Sequence, residues 1–248
     1  MKILTFGGGA RMAECERLLS AADLPTNIGS LILLPIPTAR DNKYISGTAF
    51  TVGEIASMLD SSTAVAGYEI PAEIMDRAAE VGATVYDGAL DEDFLTQNAE
   101  LTARGTVGYI LTNSKKDLSD MSVGVVGYGR IGMRLVRWLL PFGCNLTVYT
   151  NRREVALELC ESGVSAKLVW EITDLTDLDL LINTAPARQI DDNILHEKLT
   201  VIDLASGSIF KDSPMVIKLA SIPNVFYPLS AGRVYAEGII GALGGKTK

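Results

Sequence analysis

A glycine-rich hexapeptide, GYGRIG, occupies residues 127–132 of this 248-residue chain. It follows the apolar run VGVV and precedes a segment with apolar residues at helical spacing. In a strand–turn–helix unit of this kind, the first glycine permits a tight turn, the second lets the backbone approach a pyrophosphate, and the third lets helix and strand pack closely. Free N–H groups at the start of the helix attract the anion. The hexapeptide therefore predicts a dinucleotide-binding loop, with candidate residues Gly127, Gly129, Arg130, Ile131 and Gly132.

Two adjacent arginines follow the next aliphatic run. The run NLTVYT leads into Asn151, Arg152 and Arg153, with no acidic residue before Glu154. Dinucleotide-binding sheets that take NAD place an Asp or Glu near this point to accept hydrogen bonds from the ribose 2′-OH, whereas arginine suits a 2′-phosphate. The pattern predicts NADP rather than NAD as the cofactor. The alternative interpretation is a solvated, basic start of a helix.

The ends of later aliphatic runs should line the other side of the cofactor, because ligands of open α/β sheets bind at the carboxyl ends of the strands. The runs concerned are INTAPA and IDLASG, and their small residues leave room for a ribose and a nicotinamide ring. Ordinary turn chemistry is the competing explanation. The candidates are Thr184, Ala185, Pro186, Ala205 and Ser206.

Short aliphatic runs alternate with helical patterns along the whole chain, which is typical of parallel sheets covered by helices. The alternation occurs in two series, so we predict an α/β protein of two domains, the first flavodoxin-like and the second a Rossmann doubly wound parallel sheet. The second series predicts six strands, of which VFYPL is the last, and a helix over residues 213–221 just before it. The predicted bounds are 1–97 for the substrate-side domain, 98–117 for an interdomain helix and linker, 118–229 for the NADP-binding domain, and 230–248 for a C-terminal helix of open assignment.

Composition narrows the functional class. A net charge of −8 and a pI near 4.8 argue against the broad basic surface that nucleic acid or an anionic membrane would require. No stretch approaches the length of a membrane-spanning helix, and three cysteines without metal-ligand spacing indicate a reducing compartment and no metal site. We therefore expect a cytoplasmic protein with a small-molecule substrate.

Several segments together carry a family resemblance. They are ILTFGGGAR, LPIPTARD, NAELTARGTVGYIL, GVVGYGRIGMRL, LINTAPA and VIDLASG. In these segments and their order the chain resembles the A-subunit family of dipicolinate synthase, and its second domain is also similar to D-2-hydroxyacid dehydrogenases. The resemblance implies NADP-dependent oxidation of a cyclic dihydrodipicolinate-pathway precursor to pyridine-2,6-dicarboxylate during sporulation. It also implies a possible partner, a flavoprotein-like B-subunit. A homodimer is expected from the resemblance and from base rates.

A dicarboxylate substrate requires cationic or N–H groups. Arg11 follows a second glycine-rich turn, whose free N–H groups open a helix. Thr38 and Arg40 follow the run LILLPIP, Thr102 and Arg104 lie on the interdomain helix, and Arg233 opens the last helix. A surface role is the alternative for each arginine. The candidate substrate-binding residues are Arg11, Thr38, Arg40, Thr102, Arg104 and Arg233, and no catalytic residue is assigned.

The chain departs from the family pattern at several positions. Gly9 stands where an aspartate is expected, Arg104 where a glutamate is expected and Gly207 where an arginine is expected, and a strand and helix are missing between Ala22 and Ser30. A non-catalytic NADP-binding sensor or partner protein therefore remains an alternative. A weaker one is a D-2-hydroxyacid dehydrogenase-like enzyme, which would need a histidine base, and the only histidine, His196, lies in a polar stretch typical of a surface.

Overall fold

The computed structural model describes residues 1–186, 190–205 and 210–246. These residues form two compact units, each built around a parallel sheet: residues 1–98 with 223–248, and residues 99–222. The boundary falls inside a long helix, α4, Glu92–Asn113. The predicted two-domain α/β fold is confirmed. The last helix, whose assignment the sequence left open, is grouped with the first unit.

The first unit contains four strands, all parallel and in the order β1-β2-β3-β4. Their bounds are β1 Lys2–Thr5, β2 Ser30–Leu33, β3 Thr63–Gly67 and β4 Thr84–Asp87. Besides the first part of α4, the helices are α1 Ala10–Ala21, α2 Val52–Ser57, α3 Ala72–Val81, α7 Ile222–Phe226, which begins one residue before the boundary, and α8 Pro228–Ala242.

The strand order of the first unit is the flavodoxin-type order, 2-1-3-4-5, without its outermost strand. Helix α1 ends at Ala21 and β2 begins at Ser30, so the connecting segment has no room for a further strand and helix. Strand β1 is consequently an edge of the sheet. The central strand β3, TAVAG, is buried along its whole length, as expected for a parallel strand covered on both faces.

Helices α1 and α8 pack against each other at very short range. A Cβ atom on Gly232 of α8 would lie 2.5 Å from the backbone oxygen of Arg11, so only glycine allows this approach. Tyr235, one turn later, is fully buried and donates a hydrogen bond of 3.1 Å to the C=O of Leu34. The last helix thus completes the core of the first unit.

The second unit contains six parallel strands in the order β7-β6-β5-β8-β9-β10. This is the doubly wound order 3-2-1-4-5-6, whose topological switch point lies between β5 and β8. The strands are β5 Ser122–Val126, β6 Asn145–Thr150, β7 Ser165–Leu168, β8 Leu180–Asn183, β9 Thr200–Asp203 and β10 Val216–Lys218. Besides the remainder of α4, the unit contains α5 Arg130–Leu139 and α6 Arg153–Glu161.

Two predictions near the end of the second unit are wrong. Residues 213–221 were expected to be helical, but they contain β10, in which Val216 pairs in parallel with Val201 of β9. The run VFYPL was expected to be the sixth strand, but it belongs to α7 and the first turn of α8. A short apolar run does not distinguish helix from strand by periodicity, and Pro228 at the start of α8 suits the first turn of a helix rather than a strand interior.

Three further features concern the described part of the chain. It contains no helix both long and apolar enough to cross a membrane. No group of three or more histidine, cysteine or acidic side chains there could hold a metal ion. Cys15, Cys144 and Cys160 are all free thiols, and burial raises the pKa of Cys15 to about 12, so this thiol stays protonated and unreactive.

Candidate functional site

The glycine loop lies between β5 and α5 and has the backbone geometry that its sequence predicts. Gly127 has a φ of +90°, and a Cβ on it would lie 2.7 Å from Oγ1 of Thr184, which follows β8. A Cβ on Gly132 would overlap the C=O of Gly127. These two glycines therefore fix the tight turn and the close packing of α5 on the sheet at the switch point.

The second glycine of the loop faces open space. Gly129 is the N-cap residue of α5, has no side-chain cap, and a Cβ on it would meet nothing within 4 Å. The first bond of the helix runs from the N–H of Met133 to the C=O of Gly129 at 3.0 Å, so the N–H groups of Ile131 and Gly132 have no acceptor four residues earlier. Arg130 opens the helix and is exposed. This open, anion-attracting turn fits a pyrophosphate.

The basic corner after β6, residues 151–153, contacts the glycine loop. Nη2 of Arg152 donates a hydrogen bond of 2.7 Å to the C=O of Tyr128, and its backbone N–H donates to Oγ1 of Thr150 at 3.2 Å. Asn151 and Arg153 are exposed, and Arg153 is the first residue of α6. The structure thus brings a guanidinium to the loop at the place where NAD-binding sheets have a carboxylate.

Side chains at the carboxyl ends of β8 and β9 lie on the same side of the sheet as the glycine loop. The backbone N–H and the hydroxyl of Thr184 each donate to the C=O of Val126 at 2.9 Å, which ties the end of β8 to β5. Ala185 and Ala205 are half-buried beside this edge, and Pro186 is exposed. Ser206 lies outside the described residues.

These strand ends also carry a buried polar pair, and the sequence did not predict the pairing. Asn183 is the last residue of β8, Asp203 the last of β9, and Nδ2 of Asn183 donates a hydrogen bond of 2.8 Å to Oδ1 of Asp203. Both are buried. The signal in the sequence was a polar residue directly after each of two aliphatic runs, but their pairing depends on the strand order.

The candidate residues of the first unit fall into different environments. Arg11 is 6% exposed, its Nη2 lies 3.3 Å from Oδ1 of Asn98, and its buried Nε has no acceptor within the described residues. Burial lowers the pKa of the Arg11 guanidinium. Thr38 is fully buried and accepts a hydrogen bond of 2.9 Å from the N–H of Tyr68. Arg40 and Arg233 are exposed.

The turn before Arg11 resembles the glycine loop of the second unit. Gly7 and Gly9 have φ values of +93° and +96°, and Gly9 caps α1 without a side-chain hydrogen bond. The first bond of α1 runs from Ala13 N–H to the C=O of Gly9 at 3.1 Å, which places Arg11 in the first turn. The first unit therefore combines an uncapped helix start with a buried guanidinium.

Arg104 belongs to a cluster of charged side chains that was not predicted. Its guanidinium lies 2.9 Å from Glu100 and 5.0 Å from the ring centroid of Trp138. Glu100 also contacts Nη2 of Arg137 at 2.7 Å and accepts from Nε1 of Trp138 at 2.8 Å. Partial burial alone would raise the pKa of Glu100, but the hydrogen bonds from Trp138 and Arg104 and the nearby guanidinium charges hold the pKa below its usual value. Thr102, on the same helix, is buried.

His196 lies at the amino ends of the strands of the second sheet. It precedes Thr200, the first residue of β9, and its Nε2 is 3.0 Å from the C=O of Leu175. The glycine loop follows the carboxyl end of β5. Because the strands are parallel, His196 lies at their amino ends and the glycine loop lies at their carboxyl ends, on the opposite side of the sheet.

Residues 96–210 match the family model of the D-isomer specific 2-hydroxyacid dehydrogenase NAD-binding domain. The dipicolinate synthase A-subunit of Bacillus subtilis is 25% identical to the chain over 157 residues, which are 59% of this chain and 53% of that protein. The crystal structure of the dipicolinate synthase A-subunit from Bacillus halodurans matches with a TM-score of 0.79 and 22% identity, covering 98% of this chain and 97% of that one. The resemblance to the dipicolinate synthase A-subunit is confirmed.

The B. subtilis A-subunit has also been solved, and that structure matches with a TM-score of 0.78 and 20% identity over 98% of this chain and 96% of the other. These two likenesses show the fold. The sequence alignment spans about half of the B. subtilis protein's length, 53%. Together with the family model, the comparisons make residues 96–210 similar to the nicotinamide-cofactor-binding domain of dehydrogenases.

Proposed function

We propose that this protein is an NADP-dependent oxidoreductase that oxidises a cyclic dihydrodipicolinate-pathway precursor to pyridine-2,6-dicarboxylate. The observation that carries the cofactor part of the proposal is the contact between the Arg152 guanidinium and the C=O of Tyr128, 2.7 Å apart. It holds a cation beside the glycine loop, at the end of the strand where a 2′-phosphate would lie. The substrate part is carried by the resemblance to the A-subunit of dipicolinate synthase.

The basic corner favours a phosphate over a hydroxyl for electrostatic reasons. A guanidinium has several N–H donors in a fixed fork and can grip phosphate oxygens in bidentate fashion while one N–H remains on Tyr128. Arg153, at the first position of α6, adds a second positive charge next to a helix start, which itself attracts anions. No carboxylate occurs among residues 150–153 to repel the phosphate.

The residues of the second unit can hold the whole cofactor. The glycine loop binds the pyrophosphate, and the small side chains of Ala185 and Ala205 leave space for the ribose and ring beyond the switch point. When bound, the nicotinamide supplies the hydride acceptor for the oxidation. Formation of an aromatic pyridine ring favours the reaction, so a strong general base is less necessary than in alcohol oxidation.

Arg11 is the residue of the first unit that best suits a substrate carboxylate. Its guanidinium is almost fully buried, forms no ion pair within the described residues, and has an Nε without an acceptor. A buried charge of this kind is costly until an anion joins it. The uncapped start of α1 after Gly9 offers N–H groups for the same anion. A role in substrate binding stays a prediction for Arg40, Arg104 and Arg233.

The partner proposals rest on the resemblance. A flavoprotein-like B-subunit would assist the reaction, and the protein itself would form a homodimer. Because both concern assembly, size measurements in solution with and without the flavoprotein test them separately from cofactor binding.

The experiment for the cofactor is a pair of titrations. Dissociation constants for NADP and NAD are measured with the purified protein and with Arg152→Asp. We expect the wild type to bind NADP more tightly by roughly ten- to a hundred-fold, as loss of one charge-assisted contact would predict, and the variant to lose this preference. Lys198→Asp makes the same charge change at an exposed position near the opposite sheet edge and should leave the preference intact. A wild-type preference for NAD would contradict the proposal.

The experiment for the reaction supplies the cyclic precursor and NADP, with and without the flavoprotein, and follows the absorbance of the reduced nicotinamide. Turnover under either condition supports the proposed reaction. Tight NADP binding without turnover under both conditions would instead favour a non-catalytic NADP-binding sensor or partner protein.

A further inference from the structure

Asp203 carries a buried carboxylate oxygen to which none of the described residues donates a hydrogen bond. Its side chain is 3% exposed at the carboxyl end of β9. Oδ1 accepts hydrogen bonds from Nδ2 of Asn183 at 2.8 Å and from the N–H of Ala205 at 3.2 Å. Oδ2 is buried and has no hydrogen-bond partner in the part of the chain that the structure describes.

This arrangement is costly unless something else binds the second oxygen. A buried polar atom without a hydrogen-bond partner destabilises the folded protein, and the effect is larger when the atom carries charge. The described residues form no ion pair with Asp203. The turn after β9 does not explain the carboxylate, because an asparagine would accept the same two hydrogen bonds through its single amide oxygen.

The position of Asp203 indicates what the missing donor is. The pyrophosphate belongs on the glycine loop after β5 and the adenosine ribose beside the end of β6, so the second nucleotide must lie across the switch point, over the ends of β8 and β9. Asn183 and Asp203 are register partners at those two ends. The nicotinamide ring carries one strong hydrogen-bond donor, the NH2 of its carboxamide.

We propose that Oδ2 of Asp203 accepts a hydrogen bond from the carboxamide NH2 of the nicotinamide, and that Asn183 holds the carboxylate in the orientation that allows it. This contact would fix which face of the ring is turned to the substrate. The inference rests on the nicotinamide cofactor alone, and it depends neither on the preference for NADP over NAD nor on the identity of the substrate.

The test compares NADP with its 3-acetylpyridine analogue, in which a methyl group replaces the carboxamide NH2. Dissociation constants of both are measured for the wild type, Asp203→Asn and Asp177→Asn, a control at an exposed aspartate of the same unit. In Asp203→Asn, the donors of Asn183 and Ala205 keep the amide oxygen in the place of Oδ1, so an NH2 group replaces the free acceptor.

We expect the wild type and Asp177→Asn to bind NADP about ten-fold or more tightly than the analogue, the range of a hydrogen bond to a charged group. Asp203→Asn should bind NADP and the analogue with similar affinity, while its affinity for 2′-phospho-ADP-ribose, which lacks the nicotinamide, is unchanged. An equal preference for NADP over the analogue in the wild type and in Asp203→Asn would overturn the proposal.

Two measurements test the inference even if Asp203→Asn does not fold or the protein prefers NAD. If Asp203→Asn does not fold, equal affinities of the wild type for NADP and the analogue still overturn the inference, and a preference for NADP supports it. If the protein prefers NAD, the same comparison is made with NAD and its 3-acetylpyridine analogue, so failure of the NADP proposal and failure of this inference are distinguishable.

Discussion

The Arg152 guanidinium, just after β6, donates a hydrogen bond of 2.7 Å to the C=O of Tyr128, the second residue of the glycine loop. The proposed phosphate-binding group is thereby positioned by the pyrophosphate loop itself. Arg152→Lys keeps the charge but loses the planar fork, so we expect about ten-fold weaker binding of NADP and little change for NAD. Titration of both cofactors checks this, and an unchanged affinity for NADP would show that charge alone suffices.

Two glycines of the loop should respond differently to the same substitution. Gly132→Ala places a methyl group against the C=O of Gly127 and should lower the free energy of unfolding by about 3 kcal/mol. Gly129→Ala points into open space, so its stability should stay within about 0.5 kcal/mol while NADP binding weakens at least about ten-fold, because the methyl group obstructs the pyrophosphate. Urea denaturation and cofactor titration separate the two effects. Equal losses of stability would contradict the geometry.

Arg11 should contribute to binding rather than to stability. Arg11→Met replaces a buried cation, which forms no ion pair with the described residues, by a flexible apolar chain, so the free energy of unfolding should be unchanged or higher by about 1 kcal/mol. Affinity for pyridine-2,6-dicarboxylate, measured by calorimetry, should fall at least about ten-fold. Arg17→Met removes an exposed arginine of the same helix and should leave that affinity intact. A large loss of stability with unaltered affinity would make Arg11 a structural residue.

Helix α8 offers a matched pair of glycines. Gly232→Ala brings a methyl group 2.5 Å from the backbone oxygen of Arg11 and should destabilise the protein by about 1–3 kcal/mol. Gly241→Ala meets nothing within 4 Å and should stabilise it by up to about 1 kcal/mol through helix propensity. Chemical denaturation of both variants measures the difference. An unchanged free energy of unfolding in Gly232→Ala would contradict the close contact between α1 and α8.

Glu100 should make stability sensitive to acid. Its pKa in the folded protein is below the usual value of 4.5, so its contribution is fully present above pH 4.5 and is lost as the pH falls through the lowered pKa. Glu100→Gln should reduce the free energy of unfolding at pH 7 by about 1 kcal/mol, since two of its arginine partners are largely exposed, and should flatten the decline below pH 4.5. Glu158→Gln, at an exposed position of α6, should do neither. Denaturation curves between pH 3 and pH 7 provide the test.

Local patterns were sufficient for most of the fold. Each of the first five strands of the second unit follows from an aliphatic run, and the turn geometry at Gly127 and Gly132 follows from their spacing after one such run. The sixth strand was misplaced because β10 has only three residues and owes its existence to pairing with β9. Its own residues do not distinguish strand from helix.

Contacts between distant residues could not be predicted in the same way. Glu100 meets Arg137 and Trp138 from another helix, and no local pattern indicates which faces of the two helices pack together. The pairing of Asn183 with Asp203 follows only once β8 and β9 are known to be neighbours in register. The cationic corner was visible because Arg152 lies within one turn of a strand end, although its bond to Tyr128 was not.

The first unit is built from two separated pieces of chain, residues 1–98 and 223–248, whereas the second is continuous. During synthesis the nucleotide-binding unit can therefore complete its folding while the amino-terminal piece still lacks Tyr235 and the other buried side chains of α8. Until that helix emerges from the ribosome, the aromatic surfaces of Tyr86 and Phe94 that Tyr235 covers stay open to solvent and to chaperones. The continuous unit can therefore complete its fold before the unit that surrounds it in the sequence.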